Sequence, residues 1–254
     1  MEYQSVDLVY EEHGRGTPVV LLHGFPFDRS IWQPIVPRLE KRARLILPDL
    51  RGHGQSPAPD GVYTMREMAE DVVRLFDRLE IERAVLVGHS MGGYVSMAFA
   101  HAYPSRLAGL GLVATQAGAD SSERRQARLK LASSVKRRGL KPVVTGMIEK
   151  LTPQADLTQP LFDLMMRANP VGVLGALRGM AERPDMVGVL SDICVPAVVI
   201  AGGNDQILHI EAMKTMAQLL PKGWLVEIPE GGHMLMMEAP DKVAEALDQL
   251  ILMA

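Results

Sequence analysis

Val85-Leu86-Val87-Gly88-His89-Ser90-Met91-Gly92-Gly93 is an apolar run that meets a Gly-x-Ser-x-Gly turn, with helix-compatible residues from Tyr94 to Ala102 behind it. Strand, Gly-flanked serine and helix in that order is the context of a nucleophile elbow. The requirement is steric. Ser90 must sit on a sharp, strained turn for its hydroxyl to stand clear of the sheet edge, and Gly88 and Gly92 remove β-carbons that neighbouring chain would strike. A Gly-rich turn that merely contains a serine would lack the flanking strand and helix.

Similar apolar runs recur at Val19–Leu22, Leu45–Leu47, Leu107–Ala114, Ala197–Ala201 and Trp224–Ile228. Such runs are typical of strands buried on both faces. Residues 4–12 alternate more loosely and read as an opening antiparallel strand. Helical stretches intervene at Thr64–Leu79, Tyr94–Tyr103, Ile210–Leu220 and Pro240–Leu252, the first opened by a Thr64/Glu67 capping box. The alternation predicts an α/β fold with a mostly parallel, doubly wound sheet. From about Gln116 to Ser191 no strand signal is found. This interval predicts an all-helical cap (116–191) over a core made of 1–115 and 192–254. Asp120 with Glu123 reads as a capping box there, and Pro142, Pro160 and Pro170 as first-turn prolines. Met147, Met165, Met166, Met180 and Met186 read as adaptable packing within it.

The 254 residues carry a net charge of −3, with 47% hydrophobic and 22% charged residues, which is ordinary for a soluble globule. That balance argues against a nucleic-acid or membrane-surface partner, and no apolar run approaches the roughly 18 residues of a membrane span. Met1–Gln4 lack the basic and apolar regions of a leader. Cys194, the only cysteine, forbids an internal disulfide and fits a cytoplasmic setting; between Ile193 and Val195 it reads as a buried small hydrophobe. No metal-ligand cluster or cofactor motif is found. One segment is strongly basic: Arg124, Arg125, Arg128, Lys130, Lys136, Arg137, Arg138 and Lys141 face only Asp120 and Glu123. It reads either as a solvated helix face or as a device that steers an anionic substrate.

A serine hydroxyl needs a base, and the base needs a carboxylate to hold its tautomer. Behind a nucleophile elbow the chain order is Ser, acid, His. His13, His23, His53 and His89 precede Ser90, and His101 lies in the helix after it. His209 is too close in sequence to the candidate acid. His233 remains, in a loop whose Gly231 and Gly232 let an imidazole swing over the sheet. The acid is Asp205, directly after an apolar strand, where open α/β sheets place their sites; Asp120 is the rival. Two backbone N–H groups should form an oxyanion hole, one from Met91 and the other from Phe25 in His23-Gly24-Phe25-Pro26.

His23-Gly24-Phe25, Asp49-Leu50-Arg51-Gly52-His53-Gly54-Gln55-Ser56, Gly88-His89-Ser90-Met91-Gly92-Gly93, Gly203-Asn204-Asp205 and Gly232-His233 together resemble the α/β-hydrolase superfamily over nearly the whole length. General texture and Leu177-Arg178-Gly179-Met180 through Arg183-Pro184-Asp185 are similar to the small bacterial group of 3-oxoadipate enol-lactonases and related carboxylesterases. The amino-terminal strand pair is shortened by comparison. The resemblance implies an α/β-hydrolase fold and the hydrolysis of small-molecule esters or lactones, without metal or cofactor. A carboxylesterase is expected. Enol-lactone hydrolysis, and a slow-turnover small-molecule receptor on the same fold, stay open.

Overall fold

The computed structural model describes residues 5–254; Met1–Gln4, on which the leader reading rests, lie outside the described residues. Seven strands, β1 (Tyr10–His13), β2 (Thr17–Leu22), β3 (Ala43–Pro48), β4 (Ala84–His89), β5 (Leu107–Val113), β6 (Ala197–Gly202) and β7 (Gly223–Ile228), form one sheet in the order β1-β3-β2-β4-β5-β6-β7. Only β1 is antiparallel, pairing Tyr10 with Pro48. The opening strand is shorter than expected. Val6 and Leu8 are buried without joining the sheet, and the Val6 N–H donates to Asp71.

The apolar runs are the strands because central parallel strands are covered on both faces: β4 and β6 are buried along their whole length. Helices α1 (Val36–Leu39), α2 (Met65–Arg78), α3 (Met91–Ala102), α8 (Ile210–Leu219), α9 (Leu235–Glu238) and α10 (Pro240–Met253) complete the doubly wound arrangement. The α2 capping box is reciprocal: Thr64 Oγ1 accepts from the Glu67 N–H at 3.1 Å, and the Thr64 N–H donates to Glu67 Oε2 at 3.0 Å. Gly109 and Gly111 share one face of β5, and a β-carbon on either would press on Leu250 or Leu247 of α10.

Four helices fill the interval between β5 and β6: α4 (Ser122–Arg138), α5 (Lys141–Leu151), α6 (Ala155–Met166) and α7 (Pro170–Ala181). Helix α7 sits on the rest of the chain through Gly172, Gly175 and Gly179. β-Carbons on Gly172 and Gly179 would lie 1.6 Å from the carbonyl oxygens of Gly52 and Tyr63. Pro142 and Pro170 occupy first turns as predicted, whereas Pro160 lies inside α6. It is tolerated because it is exposed, so water can reach the carbonyl its ring leaves unpaired. Cys194 also departs from expectation. It is exposed, because Ile193 and Cys194 lie in an irregular link before β6, and Ile193 takes the inward position. No helix among the described residues is long and apolar enough to cross a membrane.

Register then sets the site. Leu22 pairs with Gly88, Gly88 with Leu112, Val113 with Ile200 and Gly202 with Ile228. The carboxyl ends of β2, β4, β6 and β7 therefore share one edge, and the segments bearing Phe25, Ser90, Asp205 and His233 leave from it.

Candidate active site

Ser90 stands between β4 and α3 at φ 51°, ψ −110°, a left-handed backbone that a non-glycine residue adopts only under strain of about 1–3 kcal/mol. The surroundings hold it there. Its N–H donates to the Val113 carbonyl at 2.9 Å, and its own carbonyl accepts from Thr115 Oγ1 at 2.8 Å. The flanking glycines are required by contact: a β-carbon on Gly88 would lie 2.2 Å from the Gly92 carbonyl oxygen, and one on Gly92 2.4 Å from that of Leu22.

Asp205 and His233 meet across the ends of β6 and β7. Asp205 Oδ2 accepts from His233 Nδ1 at 2.8 Å, and Oδ1 accepts from the N–H groups of Ile207 and Leu208 at 2.8 and 3.0 Å. Burial pushes the Asp205 carboxyl up, but the His233 imidazole and the two N–H groups outweigh it and hold it below the usual carboxylate range. A carboxylate on Nδ1 leaves Nε2 free to accept a proton. His233, Ser90 and Phe25 line one cavity of about 430 Å³. Met91 opens α3. Among the described residues neither the Phe25 nor the Met91 N–H donates to a protein acceptor.

His89 and Glu238, which support this geometry, were not singled out by sequence. His89 is fully buried, and its Nε2–H donates to the His233 carbonyl at 2.9 Å. Glu238 accepts from the N–H groups of Gly232 and Met234, so both sides of His233 are tied to one carboxylate; burial pushes its carboxyl up. The His233 N–H itself donates to the Leu151 carbonyl at 3.0 Å, which joins α5 to the site. His23 donates through Nδ1–H to the Gly24 carbonyl and accepts the Leu50 N–H at Nε2, at 3.0 and 2.9 Å. It thereby fixes the Phe25 loop against the Asp49–Ser56 loop. The Ser-plus-one-before position of His89 and the Glu five residues beyond His233 were visible, but nothing local marks their roles.

Asp120 does not cap α4. Ser121 does, accepting the Arg124 N–H at 3.2 Å. The Asp120 side chain is instead buried among three guanidinium groups: Arg128 at 2.5 Å, Arg183 at 2.6 Å and Arg124 at 3.6 Å. Burial raises its carboxyl and the arginines lower it further, leaving it below the usual range. Arg124 and Arg128, one turn apart, line the cavity with Lys150, while Arg125, Lys130 and Lys136 to Arg138 face solvent. The basic segment thus divides, with Arg124 and Arg128 at the cavity and the other cations in solvent. Of the methionines, Met147 and Met180 line the cavity, Met165 is buried and Met166 exposed. His209 opens α8, exposed and outside the cavity lining.

A model of the alpha/beta hydrolase family matches residues 19–246, from within β2 into α10. The chain belongs to the alpha/beta hydrolase family. Among solved members, a thermophilic esterase from Thermogutta terrifontis, with malate bound, superposes at a TM-score of 0.93 and 39% identity, covering 96% of this chain and 92% of that one. The enol-lactonase from Burkholderia xenovorans LB400 superposes at 0.91 and 25% identity, covering 97% of each chain. Among curated relatives, the dihydrolipoyllysine-residue acetyltransferase component of the acetoin cleaving system of Pseudomonas putida is 34% identical over 241 residues. That match covers 91% of this chain but only 62% of the relative's length.

Proposed function

We propose that this alpha/beta hydrolase cleaves small carboxylic esters through an acyl-enzyme on Ser90, with His233 as base and Asp205 as its orienting acid. The observation that carries the reading is the 2.8 Å contact of Asp205 Oδ2 with His233 Nδ1, on a histidine that lines one cavity with a strained serine. In this scheme Ser90 Oγ bonds to the ester carbonyl carbon while its proton passes to His233 Nε2. The carbonyl electrons move to oxygen, where the N–H groups of Phe25 and Met91 receive them. The intermediate collapses, and the departing alcohol takes the proton from His233. Water then repeats the sequence on the acyl group. Helices over 116–191 act as a cap that shapes the cavity. The proposed setting is the cytoplasm, where a lone thiol stays reduced.

A second reading is favoured by charge. Arg124, Arg128 and Lys150 line the cavity, and no Asp or Glu does among the described residues. Asp120 behind them is one carboxylate shared by three arginines. An ester or lactone carrying its own carboxylate suits that lining, a reading supported by the malate, a dicarboxylate, bound to the Thermogutta esterase.

Incubation with an alkyl organophosphonate followed by peptide mass mapping tests the scheme. One adduct on Ser90, with loss of turnover on a panel of p-nitrophenyl esters and lactones, is expected. Label elsewhere would overturn the nucleophile assignment; binding of the panel without release would favour the receptor.

A further inference from the structure

The catalytic cavity has a neighbour. A second cavity, of about 380 Å³, lies between the start of α2, the outer part of α3, the segment after β5 and the end of α7. Met65, Met97, Ala98, Ala117 and Met186 give it an apolar interior, while Arg66, His101 and Glu182 are exposed at its rim. Tyr94 lines both cavities and is only 4% exposed. It lies on α3, one helical turn beyond Ser90.

The ring is held in place. The Arg183 guanidinium stacks on it at 4.2 Å from the ring centroid. Arg183 is itself buried, bound to Asp120 Oδ1 at 2.6 Å and to the Gly118 carbonyl at 2.8 Å. Asp120 also binds Arg128, which lines the catalytic cavity, whereas Arg183 lines the second. One carboxylate thus ties Arg128 at the first cavity to Arg183 at the second, and Tyr94 is the one residue common to both linings.

We infer that Tyr94, clamped by Arg183, is the specificity-determining wall that limits the length of the acyl chain, closing an apolar compartment off from the catalytic cavity. The inference rests on the ester-hydrolase reading. An aliphatic chain gains about fourfold in kcat/KM for each methylene it buries. At the ring the gain stops, because further methylenes overpack a fixed side chain or stay in water. With the ring removed the two cavities join. The interior of the added space, formed by Met65, Met97, Ala98, Ala117 and Met186, is apolar and suits a methylene chain.

The test compares kcat/KM for p-nitrophenyl acetate through decanoate in the parent, Tyr94→Ala and Tyr94→Ala/Ala98→Phe. Ala98 stands one turn along α3 from Tyr94, and phenylalanine there refills the second cavity. In Tyr94→Ala the optimum should move by about three carbons, with octanoate gaining at least roughly tenfold over butyrate. The double variant should return the optimum to that of the parent. Should alanine prevent folding, Tyr94→Leu tests the same direction with a smaller loss of packing. In parallel, calorimetry measures butyrate and octanoate binding to Ser90→Ala with and without Tyr94→Ala. Octanoate should bind at least roughly tenfold tighter when the ring is gone. Failure of every protein to turn over any ester would refute the hydrolase reading, while the binding series would still decide the wall. A folded Tyr94 variant with unchanged length optimum and octanoate affinity overturns the inference, as does a double variant as permissive as the single one.

Discussion

His89 Nε2–H donates to the backbone carbonyl of His233 at 2.9 Å, and the two rings lie 4.9 Å apart. The residue just before the candidate nucleophile thus holds the loop that carries the candidate base. Gly24 closes on the other side: a β-carbon there would lie 2.4 Å from His89 Nδ1, so one buried imidazole locates the Phe25 loop as well.

Replacing His89 with leucine should therefore act through position. We expect kcat to fall about 10- to 100-fold with KM much less affected, the scale of a small misplacement of reacting groups. His89→Gln, which keeps a side-chain donor, should recover part of the loss. Parental kcat in the leucine variant would contradict the positioning role.

The two candidate acids separate by different readouts. Asp205→Asn keeps the shape but favours the wrong His233 tautomer, costing on the order of 10⁴ in kcat. Asp120→Asn should damage the fold instead, by about 3–5 kcal/mol, because it leaves buried guanidinium charge uncompensated. Denaturant titrations and kcat on the same two variants check both. A larger kcat loss in Asp120→Asn would reverse the assignment.

Three buried histidines kept neutral weigh against the fold in acid, opposed by Asp49 and Glu238, whose carboxyls burial pushes up. Burial holds His23 down to about 4 and His53 to about 3, and burial with the nearby His233 holds His89 well below its ordinary value. In the unfolded chain all three titrate near 6.5. Because the folded values are lower, the unfolded state takes up protons first as pH falls. The stability they contribute is complete above about 6.5 and is lost from there down toward 4 and 3, by up to about 1.4 kcal/mol per pH unit for each histidine. The lowered Asp205 keeps its contribution above its ordinary value of 3.8 and loses it only as pH falls from there, below the range from pH 6.5 to about 4. Melting temperature should decline between pH 6.5 and 4, and less steeply in His53→Asn. A flat profile would contradict the neutral assignment.

If the basic lining selects anionic substrates, kcat/KM for a carboxylated lactone should drop as salt rises from low to physiological strength, while that for a neutral butyrate ester stays level. Lys150→Ala should flatten the anionic profile. Equal salt responses would leave the plain ester reading alone.

Sequence reading reached furthest where the signal is local. The apolar runs of β2, β4 and β6, the Thr64/Glu67 box and the glycines around Ser90 each record a constraint satisfied within a few residues. Asp205 and His233, 28 residues apart in the chain, were legible as a pair because each follows an apolar strand and parallel strands end on one edge. Asp120 was misread because its partners Arg128 and Arg183 meet it only once α4 and the end of α7 pack together. Cys194 was misplaced because an apolar neighbourhood in sequence does not say which residue an irregular link turns inward. The roles of His89 and Glu238 depend on a loop from the far end of the chain, and no local pattern announces them.

The central claim is that Ser90 is the nucleophile, and the most direct measurement is steady-state hydrolysis of p-nitrophenyl butyrate by the parent and by Ser90→Ala. With the melting temperature matched to the parent, the variant should lose about 10⁶-fold in kcat, the scale seen when a triad acting as a unit loses its serine. A folded Ser90→Ala protein that keeps even about a tenth of parental turnover, against that scale, would place the nucleophile elsewhere.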